Sequence, residues 1–128
     1  ANTTGHWYAQ SSTNPTLPSS LQVTADNHLA IPSSTPTTLS MPLTDLVVIS
    51  QAQYSLNSGQ LTIVASTSDE TSPPVLTATS GTGAAIGALS GDGAEKILST
   101  GITPIPPAKV TVTSSNGGTD TEEVVIVQ

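Results

Sequence analysis

The 128-residue chain has no cysteine, no phenylalanine and no arginine, and its two basic residues are Lys96 and Lys109. Each absence removes a class of function. Without cysteine there is no disulfide framework, no thiolate metal site and no cysteine nucleophile. Two lysines set against nine acids, for a net charge of −7, cannot supply the basic stripe that a phosphate backbone requires. The same deficit excludes attraction to an anionic membrane surface. Aromatic residues are 2% of the chain, so the largest single burials available to most cores are missing and Val, Leu, Ile and Ala have to replace them. No apolar run reaches the length of a membrane-spanning helix, and the longest, near Leu46–Ile49, is the size of a strand. No signal-peptide pattern opens the sequence, so a secreted protein would be seen here in its mature form.

What is present suits strands and turns. Serine and threonine account for 39 residues, with ten glycines and ten prolines between them. β-Branched residues lose little on a pleated surface because their χ1 freedom is already restricted. Apolar and hydroxyl residues alternate with period two over residues 61–66 and 109–113, the signature of a strand with one face inside and one in water. Residues 45–50 and 123–127 are nearly continuous apolar runs, as expected of central strands or of strands passing between sheets. Further strands are expected over 20–25, 38–43, 51–55, 74–79 and 95–99. Asn57-Ser58-Gly59 is expected to turn Tyr54 back into Leu61. Ser115-Asn116-Gly117-Gly118 is expected to close a hairpin between 110–113 and 124–127. Asp92-Gly93 reads as another turn. The best helix candidate, residues 83–90, is glycine-rich and uncapped. Strands and turns at this spacing predict an all-β sandwich or barrel.

Residues 5–27 align without a gap on residues 94–116. The alignment pairs Pro15 with Pro104, Pro18 with Pro107, Val23 with Val112, Thr24 with Thr113 and Asn27 with Asn116, and it places Leu21 on Val110. Residues 1–44 then resemble the last strands of a repeat whose complete copy is 45–128. Such strands cannot bury their own face. They join their own chain's sandwich, belong to a longer repeat array, or pair with a neighbouring molecule by strand addition.

The run from Val48 through the Asn57-Ser58-Gly59 turn to Ser66 resembles the opening hairpin of bacterial and archaeal immunoglobulin-like modules of secreted surface proteins. Residues 107–114, read as part of a closing hairpin, are similar to the last two strands of such modules. The resemblance covers roughly residues 45–128. It implies an immunoglobulin-like antiparallel β-sandwich, here with extra N-terminal strands, and a role as spacer, adhesin or filament subunit.

Several residue groups carry competing readings. Asp69, Glu70 and Asp92 are candidate calcium ligands at one end of the sandwich, or solvated loop carboxylates. His6, Trp7 and Tyr8 form the one aromatic cluster, which either stacks on a sugar, anchors the N-terminal segment in a partner, or lies along an ordinary strand. His28 stands alone and makes no zinc site. Gly81-Thr82-Gly83-Ala84-Ala85-Ile86-Gly87 has the wrong spacing and context for a dinucleotide loop. Hydroxyls abound, but neither His6 nor His28 sits where it would activate one, and Glu122-Glu123 point to opposite faces of a strand. Lys96 and Lys109 are candidates for an isopeptide bond or, in the simpler reading, surface cations. Asn2 lies in an N-x-T sequon, a candidate glycosylation site.

These observations point away from an enzyme. The expectation is an extracellular structural protein of the cell surface, a subunit of a pilus-like fibre or array that self-associates into a homopolymer by strand pairing. His6, Trp7, Tyr8, Leu21 and Val23 would make the interchain contacts, much as in donor-strand complementation. The alternative is an adhesin or carbohydrate-binding module of a larger secreted protein, meeting a glycan or another surface protein. Neither reading needs a cofactor, calcium excepted.

Overall fold

The structure, a computed structural model, describes residues 18–128. The chain divides into two compact units, residues 1–43 and residues 44–128.

In the first unit, β1 (Ser20–Ala25) and β2 (Thr37–Pro42) form a two-stranded antiparallel sheet. Their register pairs Leu21 with Met41 and Val23 with Leu39 on one face, and Gln22 with Ser40 and Thr24 with Thr38 on the other. The Thr24 and Thr38 hydroxyls meet at 2.9 Å. Asp26 begins the connection, its carboxylate accepting the His28 amide at 2.9 Å as Asx residues do in turns.

The second unit is a sandwich of two four-stranded sheets. One has the order β10-β3-β4-β7, from Val125–Val127, Val47–Ser55, Gln60–Thr67 and Glu95–Gly101. The other has the order β6-β5-β8-β9, from Ala85–Ala88, Leu76–Ser80, Lys109–Ser114 and Thr119–Glu123. The alternation read in the sequence becomes the core. Leu61, Ile63, Leu76, Val110 and Val112 are fully buried, with Val47, Ile49, Ala52, Ala65, Ala78 and Leu89 around them. Tyr54 is the aromatic member, and its hydroxyl reaches the Ile102 carbonyl at 2.9 Å. A buried phenol needs such a partner.

The turn at residues 57–59 sets Tyr54 opposite Leu61, as expected. Residues 45–55, read as two strands, are one strand from Val47, carrying a bulge between Ile49 and Gln51. Residues 85–88 of the helix candidate are strand β6. The largest difference lies at the end of the chain. The turn at 115–118 closes β8 onto β9, the polar run Thr119–Glu123, and not onto residues 124–127. Those cross to the other sheet, where β10 pairs in parallel with Gln53–Ser55 of β3. The sandwich is therefore mixed and not wholly antiparallel. β9 escaped notice because Thr-Asp-Thr-Glu-Glu has no apolar face. It needs none, lying at the sheet's edge with most of its side chains exposed.

Candidate assembly surface

The hairpin of the first unit presents an apolar face without cover among the described residues. Leu21, Val23, Leu39 and Met41 are 51%, 58%, 61% and 58% exposed. Cross-strand pairing puts all four side by side on one side of the sheet, with Ser20, Gln22, Thr24, Thr38 and Ser40 on the other. Neither β1 nor β2 contains an ionisable side chain. An amphipathic two-stranded sheet is marginal in water by itself, because it has nothing against which to bury its face.

The backbone of the hairpin adds a directional feature. The Leu43 amide donates to the Ser19 carbonyl at 3.0 Å, continuing the ladder in which Ser20 faces Pro42. Hydrogen-bonded and non-hydrogen-bonded pairs alternate in an antiparallel ladder. Ser20, Gln22 and Thr24 consequently turn their amides away from β2, to the edge of β1 that pairs with no other strand among the described residues. On β2 the corresponding positions are Thr38, Ser40 and Pro42, the last of which has no amide to offer. β1 is the more complete template for another strand.

The sandwich edges are built differently. β9 carries Asp120, Glu122 and Glu123 among its five residues. β10 has three residues and β6 has four with a bulge in its pairing. The outer edge of β7 is occupied at Ile97, which exchanges backbone hydrogen bonds of 2.7 and 2.9 Å with Ser90. Charge, shortness, bulging and a covering segment are the usual defences of edges against unwanted pairing. The hairpin has only Pro42.

Leu21 and Val23 thus lie on the exposed apolar face, while His6, Trp7 and Tyr8 fall outside the described residues, as does Asn2. Leu39 and Met41 complete the face; strand 38–43 was legible, but its pairing partner was not. The Asp69 carboxylate accepts the Ser72 amide at 3.0 Å and the Asn116 side-chain amide at 3.3 Å, joining the β4–β5 loop to the β8–β9 turn. Glu70 and Asp92 are exposed, and no three His, Cys, Asp or Glu side chains gather as metal ligands among the described residues. The Lys96 ammonium donates to the Gly91 carbonyl at 2.6 Å, and Lys109 lies 3.8 Å from Glu123 on the surface. Among the described residues no helix is long and apolar enough to cross a membrane.

Two carboxylates that the sequence did not single out hold the sandwich together. Asp45, just before β3, accepts from the Thr67 hydroxyl on one sheet and from the Gly118 amide, at 2.9 Å, beside the other. Burial pushes its carboxyl up, but hydrogen bonds from Thr67, Ser114, the Gly118 amide and its own amide outweigh that and hold it below the usual carboxylate range. Gly118 has to be glycine, because a β-carbon there would come within 2.7 Å of the Asp45 carboxylate and 2.9 Å of Val47. Gly117 beside it turns the chain with φ of 98°. Asp120 reaches from β9 to accept the Ile49 amide at 2.8 Å, at the bulge of β3. Both acids satisfy backbone or hydroxyl donors between sheets, which is structural work.

Comparison with protein-family models, with curated proteins and with solved structures finds no match to this chain.

Proposed function

We propose that the chain is an extracellular structural protein, a β-sandwich subunit of a surface fibre or array that grows by strand pairing through its N-terminal hairpin. The observation that carries this reading is the contrast between edges. Every edge of the sandwich is short, acidic, bulged or covered, whereas β1 offers an uncharged strand with outward amides at Ser20, Gln22 and Thr24. Strand addition uses such an edge for affinity and alternate side chains for specificity.

The sandwich supports the immunoglobulin-like class. Setting β10 aside, seven strands divide three and four between two sheets, with crossings after β4, β6 and β7. A hydroxyl-rich, cysteine-free, acidic chain fits a secreted subunit, and the reading involves no catalytic step.

Light scattering with negative-stain imaging of the full chain tests it. Assemblies much heavier than 12.9 kDa are expected to appear as concentration rises. Gln22→Pro, which deletes an outward amide without touching the apolar face, should shorten or abolish them. Fibres of unchanged length from that variant would contradict pairing along β1.

A further inference from the structure

We infer that a second copy of this chain covers the hairpin's apolar face, the two hairpins stacking face to face about a twofold axis; this rests on the strand-pairing reading above and names the contact that accompanies it. The starting point is a comparison within the molecule. Aligned by the repeat, β1 falls on β8, with Leu21 on Val110 and Val23 on Val112. In β8 those two side chains are fully buried between the sheets. Beside β8, the edge strand β9 sets Asp120 opposite Val112 and Glu122 opposite Val110. Beside β1, β2 sets Leu39 opposite Val23 and Met41 opposite Leu21. The hairpin is apolar across both of its strands where the sandwich edge has turned acidic. It therefore calls for a cover two strands wide and without charge.

A second hairpin is such a surface. A twofold axis brings identical patches together, so an uncharged apolar face is its own complement. Two sheets stacked about 10 Å apart would form the smallest two-layer core, supplying the second layer that an isolated hairpin lacks. Covering the four side chains removes roughly 400 Å² per copy, about 800 Å² in all and short of the roughly 1,200 Å² of a specific interface, so the contact is weak and transient alone and is reinforced by assembly. The fixed net charge of −7 opposes approach without entering the contact, since the strands carry none of it. Association should accordingly tighten as salt screens the repulsion.

The absence of native cysteine allows a clean test in the full chain. Leu39→Cys lies on the apolar face and Ser40→Cys on the polar face of the same strand. Each variant, at a concentration where the native chain associates, is treated with a bis-maleimide spanning about 10 Å, the separation of stacked sheets. Face-to-face stacking predicts efficient covalent dimers from position 39 and at least tenfold fewer from position 40, and the same split when Gln22→Pro is added. Equal cross-linking from both positions would overturn the stacking and leave edge pairing standing. A monomeric native chain with no cross-link from either position would overturn both.

Discussion

At the scale of single residues, the sandwich depends on a few polar groups that satisfy backbone donors between its sheets. Asp45 is the clearest, because it joins Thr67 to Gly118 and its carboxyl is held below the usual range. A group whose pKa is depressed by folding contributes stability that is present above its unfolded pKa and lost as pH falls through its folded one. The unfolded value for aspartate is about 3.9, so this contribution declines below roughly pH 4. Asp45→Asn should cost on the order of 1–3 kcal/mol at pH 7, since a hydrogen-bonded charge is replaced by an amide that cannot accept from all the same donors. It should also flatten the acid side of the stability curve. Urea unfolding of both proteins at pH 7 and pH 3 measures this, and equal losses at the two pH values would remove Asp45 from its role.

At the scale of elements, legibility followed the apolar pattern. Strands with one buried face, β4 and β8, announce themselves through alternating Leu, Ile or Val and hydroxyl residues. The same pattern gave β1 and β2 as strands, although both of their faces are exposed. Periodicity reports the direction of a face and is silent on whether anything covers it. β9 was missed for the opposite reason, being polar on both faces at an edge. Once it was missed, the turn at 115–118 had to be joined to the next apolar run, Val124–Val127, which lies in the other sheet. The contacts of Asp45 with Gly118 and of Asp120 with Ile49 were not legible at all, because they join residues more than seventy positions apart.

The crossing of β10 makes a prediction at this scale. Its three residues cover the edge of β3 at Gln53–Ser55, and the Leu56 amide donates to the Val127 carbonyl at 2.9 Å. Val124 packs against the core beside it. Removing residues 124–128 should therefore lower unfolding stability by about 2–4 kcal/mol. It should also expose the edge of β3 to pairing. Chemical denaturation of the shortened chain measures the first effect; an unchanged midpoint would show that β10 is an appendage to the sandwich.

At the scale of the whole molecule, the two units differ in how completely each is finished. The sandwich has a closed aliphatic core and defended edges, and it draws its stability from within. The hairpin has a patterned face with no second layer among the described residues, and an edge with little to block pairing. On the proposed reading such a chain gains stability by meeting another, and its apparent stability should depend on its own concentration. The weak repulsion expected between acidic subunits makes that association adjustable by salt.

Sedimentation velocity of the full chain, across a hundredfold range of concentration and at low and high salt, tests self-association most directly. Mass should rise above 12.9 kDa with concentration, and should do so at lower concentration when salt is added. A single 12.9 kDa species under every condition would contradict a subunit that assembles through its hairpin.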